Sequence, residues 1–218
     1  MKVILYYGDS NTWGYVPGTD MRYSPHERWP GVLQKNLGSG YHVIEEGLRS
    51  RTTILDDPLK PYKNGKEYLI PCLDSHAPLD LVILMLGTND LKNRFSMSAY
   101  DVAKNIAVLL NIATRSTCGV LGKAPKTLLL VPPHLGRLTN FAELFEGATE
   151  KSRELARYYK IAASEMGCEF LDTSEVIRSS DIDGVHLDGD QHLKLGELIA
   201  NTVTKLFSDT EVNTKQQT

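Results

Sequence analysis

Residues 79–90 read Leu-Asp-Leu-Val-Ile-Leu-Met-Leu-Gly-Thr-Asn-Asp. A run apolar at nearly every position has no solvent face, so as a strand it must be covered on both sides. That is the situation of a central strand in a parallel sheet. Gly87 ends the run and a polar turn follows. Val3–Tyr7 is a second such run, stopping at Gly8-Asp9-Ser10, and Tyr41–Glu45, Thr127–Val131 and Glu169–Leu171 read as further short strands. Between them lie helical patterns. Trp29–Leu37 has apolar residues at helical spacing and is closed by Gly38. Ser98–Ser116 places Val102, Ile106, Leu109, Leu110 and Ala113 on one face. Helix is also expected over Ala142–Met166 and Gln191–Phe207. Strands alternating with helices specify an α/β fold: an open five-stranded parallel sheet with helices on both faces. In such sheets ligands bind beyond the carboxyl ends of the strands.

One stretch breaks this rhythm. From Gly47 to Pro78, turn signals accumulate at Asp56-Asp57-Pro58, Pro61, Asn64-Gly65 and Pro71. They predict a long surface excursion of the functional or interfacial kind. Residues 1–207 are expected to form one domain, and the polar residues 208–218 a disordered tail.

The 218 residues are 41% hydrophobic and 23% charged, with a net charge of −3. That is an ordinary globular composition, with no electrostatic case for nucleic acid or an anionic membrane as partner. The three cysteines, Cys72, Cys118 and Cys168, are scattered and odd in number. Reduced structural thiols are expected, and no zinc-ligand spacing is present. No apolar run approaches the ~20 residues that cross a bilayer. The first residues lack a small-residue cleavage site, so no signal peptide is expected and the cytoplasm is the expected location.

Three polar segments follow predicted strands or precede the last helix. Gly8-Asp9-Ser10 places a serine hydroxyl, and its own amide N–H, at a strand-to-helix turn; by itself this also reads as a capping serine. Gly87-Thr88-Asn89-Asp90 can aim a carboxamide N–H into the same crevice, where a donor stabilises a tetrahedral oxyanion; a turn asparagine bonding its own backbone is the plainer reading. Asp183-Gly184-Val185-His186 lets an aspartate fold back onto a histidine ring and fix its tautomer. Histidine, with an ordinary pKa of about 6.5, is a suitable base. The aspartates and histidines of 181–192 could suggest a metal, but Val185 occupies the third EF-hand ligand position and the terminal Glu is absent. No metal and no cofactor are expected. There is no Gly-x-Ser-x-Gly elbow, Walker A or Gly-x-Gly-x-x-Gly, which argues against an α/β-hydrolase or a phosphate-binding module.

These blocks, in this order, resemble the SGNH (GDSL-type) hydrolase superfamily. Further stretches are similar to its bacterial arylesterase/acyltransferase (perhydrolase) group: Trp13-Gly14, Val43–Leu48, Arg51-Thr52-Thr53, Asp56-Asp57-Pro58, Pro78–Ile83, Met85–Asp90 and Phe145-Glu146-Gly147. The resemblance runs from residue 2 to about 207. It implies a flavodoxin-like three-layer fold and a serine esterase acting on short acyl (acetyl or aryl) esters. Ser10, Asp183 and His186 would form the triad, with Ser10, Ser50 and Asn89 as the oxyanion hole. Acyltransferase or perhydrolase activity would compete with hydrolysis. The resemblance also implies a homo-oligomer, often an octamer, with loops at 14–28, 47–78 and 132–147 between subunits. Carbohydrate O-acetyl esterase is the alternative activity on the same machinery. By the same resemblance Trp13, Tyr15, Lys92, Phe145 and Val185 line the pocket. Two departures stand out. Asn11 replaces the usual Leu after the nucleophile and would make the pocket more polar. Ser50 replaces Gly or Ala, and its amide can serve the oxyanion hole unless the turn demands a positive φ.

Overall fold

The computed structural model describes residues 1–215, with side chains described through Ser208. Five strands, β1 (Lys2–Gly8), β2 (Tyr41–Gly47), β3 (Leu81–Met85), β4 (Lys126–Val131) and β5 (Glu169–Asp172), form one sheet in the order β2-β1-β3-β4-β5. Every neighbouring pair is parallel. That is the flavodoxin-like order, and it makes β3 central, as its unbroken apolar run requires.

Side chains alternate across the sheet with the period of two that a strand imposes. Leu5, Tyr7, Val82, Leu84 and Leu129 face one core, with α3 (Gly65–His76), α4 (Ala99–Arg115) and α5 (Ala148–Met166) over them. Ile4, Tyr6, Leu81, Ile83 and Leu128 face the other, covered by α2 (Trp29–Leu37) and α6 (Gly189–Lys215). The short α1 (Ser10–Trp13) opens at the end of β1. Helix α4 begins on a capping box: the Ser98 side chain accepts from the Asp101 N–H, and the Asp101 carboxylate accepts from the Ser98 N–H. No described helix is long and apolar enough to cross a membrane.

Three sequence expectations need correction. The 47–78 excursion contains a helix, α3. Asn64 begins it as a cap, its Oδ1 accepting from the Lys66 N–H at 3.0 Å, where the sequence reads as a turn. Pro71 falls inside this helix; burial of Leu69, Cys72 and Leu73 outweighs the ladder bond that proline cannot make. Secondly, α5 starts at Ala148 and not at 142, because Gly147 takes a left-handed φ of 71°. Thirdly, the last helix, α6, runs from Gly189 to Lys215 and not from Gln191 to Phe207; 216–218 lie outside the described residues.

Candidate active site

The carboxyl ends of β1 and β3 deliver two of the polar segments to one crevice. Ser10 is the first residue of α1, where the amide N–H has no intrahelical partner. Asp9 caps this turn, accepting the Asn11 N–H at 3.0 Å. The turn is tight enough that a Cβ on Gly8 would lie 2.0 Å from the Thr12 hydroxyl, so only glycine fits there.

His186 reaches Ser10 from the loop before α6. Its Nε2 is 3.0 Å from Ser10 Oγ, and its Nδ1 is 2.8 Å from Asp183 Oδ2. The other Asp183 oxygen accepts the backbone N–H groups of Val185 and His186, each at 2.9 Å. Burial would push the Asp183 carboxyl up, but the His186 ring and these two amides outweigh it and hold it below the usual carboxylate range. The fold-back passes through Gly184 at φ 75°, where a side chain would meet the Arg137 carbonyl. Tyr15 stacks against the His186 ring at 4.1 Å and Phe141 meets its edge at 5.8 Å, fixing the ring plane.

A cavity of about 260 Å³ opens in front of Ser10 and His186. Asn89 and Ser50 line it, together with Tyr15, Lys92, Phe145 and Val185. Asn89 follows Gly87 in a tight turn, and the neighbouring Asp90 is fully buried, accepting from the Thr53 N–H at 3.0 Å and from the Thr53 hydroxyl. Ser50 has φ 65°, so the turn does demand the left-handed region. The serine adopts that conformation at a cost on the order of 1 kcal/mol, so Ser50 keeps its place at the cavity wall despite the positive φ. The turn is held from behind by Arg51. This buried guanidinium donates to the carbonyls of Gly8, at 2.9 Å, and Glu46, and lies 4.0 Å from the Tyr7 ring centre.

Two expected pocket residues lie elsewhere. Asn11 is buried and does not line the cavity. Its Nδ2 donates to the Val185 carbonyl at 3.2 Å and its Oδ1 accepts the Leu187 N–H at 3.1 Å. It therefore clasps the backbone on either side of His186, which an apolar leucine could not do, and adds no polarity to the pocket. Trp13 is also absent from the lining; its ring lies under the guanidinium groups of Arg22 and Arg49, at 5.0 and 5.3 Å. Conversely, Phe141, Leu144, Arg49, Lys60 and Arg94 do line the cavity. Sequence reasoning missed them because they come from loops with no periodicity to place them.

A larger hollow, about 820 Å³, lies beyond Arg51 and shares no lining residue with the first. Its walls, including Glu46, Asp56, Tyr62 and Tyr68, carry no nucleophile-base pair. Close to it, Glu46, Cys72 and His76 bring ligand-capable atoms within 4.8 Å of one another, a set the sequence reading did not anticipate. His76 Nε2 lies 3.0 Å from Glu46 Oε1, and burial pushes the Cys72 thiol up to about 12. A His76–Glu46 hydrogen bond beside a protonated thiol accounts for the arrangement.

The family model that matches the chain, over residues 6–197, is described as the GDSL-like lipase/acylhydrolase family. Among solved structures, the aryl esterase of M. smegmatis is 43% identical and aligns with a TM-score of 0.91, covering 94% of this chain and 100% of that one. A carbohydrate acetylesterase from Sinorhizobium meliloti is 42% identical with a TM-score of 0.91, covering 94% and 100%. A member of the lipolytic protein G-D-S-L family from Veillonella parvula DSM 2008, 16% identical with a TM-score of 0.63 over 90% and 95%, shares the fold alone. A search of curated proteins returned no match.

Proposed function

The chain belongs to the GDSL-like lipase/acylhydrolase family of carboxylic ester hydrolases, and from that premise we propose that it cleaves short-chain acyl esters through an acyl-enzyme on Ser10. The observation that carries this reading is the unbroken relay from Ser10 Oγ to His186 Nε2 at 3.0 Å and from His186 Nδ1 to Asp183 at 2.8 Å. As the Ser10 hydroxyl attacks the ester carbonyl, its proton passes to His186 Nε2. Asp183, kept as a carboxylate, steadies the imidazolium. The oxyanion is met by the Ser10 and Ser50 amides and the Asn89 carboxamide. The alcohol leaves with the proton from His186. Water then attacks the acyl-enzyme with His186 again as base, and a second alcohol in its place gives acyl transfer. The apolar walls at Phe141, Leu144, Phe145 and Val185 support transfer by limiting water in a cavity of only about 260 Å³. That volume also supports short acyl groups.

A second reading, deacetylation of carbohydrate O-acetyl groups, uses the same residues and is favoured by the likeness to the S. meliloti acetylesterase. Turnover of p-nitrophenyl acetate against p-nitrophenyl octanoate, for the wild type and Ser10→Ala, tests the main proposal. Acetate should be preferred, and Ser10→Ala should lose roughly 10⁴- to 10⁶-fold in kcat. Full activity in Ser10→Ala would remove the nucleophile assignment and the mechanism with it. Release of acetate from an acetylated sugar faster than from the aryl ester would favour the second reading.

A further inference from the structure

The chain carries a net charge of −3, yet its Ser10 cavity is walled by cations. Arg49, Lys60, Lys92 and Arg94 line it, and the single carboxylate among the lining residues is Asp20. These groups come from three separate loops. Asp57 lies buried behind them and serves two cations at once, Arg94 at 2.9 Å and Lys92 at 3.6 Å. Asp20 reaches Arg49 at 2.9 Å, but its side chain is 91% exposed, where an ion pair is worth little. Lys60 has no ion-pair partner among the described residues. Four cations against Asp20, Asp57 and the Asp183 carboxylate behind His186 leave one positive charge in excess.

Elsewhere several ion pairs are one to one, while Arg22 and Arg28 share Glu45. Lys2 meets Asp80, Lys104 meets Glu165, Arg153 meets Glu150 and Lys194 meets Asp190. The excess at the cavity is felt by its neighbours: burial holds the Lys63 ammonium below its usual range, and Arg51, Lys60 and Arg49 add to the effect. Arg49 is also held in place, its guanidinium lying over the Tyr15 ring at 4.8 Å and the Trp13 ring at 5.3 Å. Phe141, Leu144 and Phe145 add apolar, low-dielectric lining that concentrates the field of the cations.

We propose that the ester taken by this site carries an anionic group, a carboxylate, which rests against Arg49, Lys60 and Arg94 while the reacting carbonyl faces Ser10. This deepens the esterase reading and rests on it. A guanidinium suits the role because its planar fork matches a carboxylate with two parallel hydrogen bonds. The carboxylate can belong to the acyl chain or to the alcohol, and the test separates these sources.

The test compares two ester pairs. The mono-p-nitrophenyl ester of adipic acid against p-nitrophenyl hexanoate places the charge on the acyl side. 4-Acetoxybenzoate against methyl 4-acetoxybenzoate places it on the alcohol side. kcat/KM is normalised to each ester's hydroxide rate and measured at low and at high salt. The expected result is about a ten-fold preference for the anionic member of at least one pair at low salt. Salt should shrink that preference, because it screens charges beyond a Debye length. The double variant Arg49→Gln/Lys60→Gln should bring the anionic-to-neutral ratio toward one. Normal turnover of the neutral esters with no anionic preference in either pair overturns the inference and leaves the esterase reading intact. So does a ratio that survives the double variant. No turnover of any ester, together with no labelling of Ser10 by a fluorophosphonate, overturns both.

Discussion

Asp183 and Asp90 are both buried aspartates near the carboxyl ends of the strands, next to residues that line the same cavity, and their carboxyls are shifted in opposite directions. Asp183 receives the His186 ring and two backbone amides, which keep its carboxyl below the usual range. Asp90 is pushed up to about 7 by burial; the Thr53 hydroxyl and amide pull it down only in part, and the nearby Asp9 carboxyl works against them. The difference lies in the partners. Asp183 has a titratable ring to complement its charge, whereas Asp90 has only neutral donors. The 183–186 loop is therefore built to carry charge, and the 87–90 turn to hold Asn89 still.

That contrast can be broken in order of effect. Asp183→Asn leaves the shape but allows the wrong His186 tautomer, so kcat for p-nitrophenyl acetate should fall by about 10⁴. A loss below ten-fold would mean that Asp183 only positions the loop. Asn89→Ala removes one oxyanion donor from the other side, and kcat should fall by roughly 10²- to 10³-fold with KM little changed. A rise in KM alone would assign Asn89 to ground-state binding instead.

Asp90→Asn sharpens the comparison through stability. A carboxyl with a raised folded pKa binds its proton more tightly in the fold than when unfolded. Its contribution to stability therefore falls as pH rises from about 4 to 7. The buried His192 works in the other direction. Burial, with His186 and Arg28, draws its pKa down to about 3, so stability is lost as pH falls below 6.5 and the unfolded chain takes up the proton. In the wild type the two slopes oppose each other across this window. Asp90→Asn should unmask the His192 slope, deepening the loss of urea-unfolding stability between pH 6.5 and 4.5 by roughly 2 kcal/mol. An unchanged slope would show that Asp90 titrates like an exposed aspartate.

Much of this architecture is legible in residue order. The run at 79–86 marks β3 as central, and the pairing of Asp183 with His186 follows from three-residue spacing around a glycine. Other elements resist such reading. Asn64-Gly65 and Pro71 are local turn signals, and the α3 helix they hide exists because Leu69, Cys72 and Leu73 find a core to enter. Asn11 looks like a pocket residue by its place beside Ser10. Its side chain turns away because residues 185 and 187 offer it an acceptor and a donor, respectively. Phe141, Leu144 and Arg94 carry no pattern at all, yet they wall the site.

Residue order alone set the alternation of strands and helices, the order of the polar turns, and the candidate nucleophile, acid and base residues brought to them. These follow from local rules: periodicity, turn chemistry, and the few side chains able to do acyl transfer. The tertiary structure alone decided the left-handed turn at Ser50, the clasp of Asn11 on the His186 loop, and the gathering of four cations around one small cavity. Each depends on groups distant in the chain, Arg51 bridging the ends of β1 and β2 and Asp57 anchoring Lys92 and Arg94. Contacts across tens of residues are set by packing of the whole, and residue order does not encode them locally.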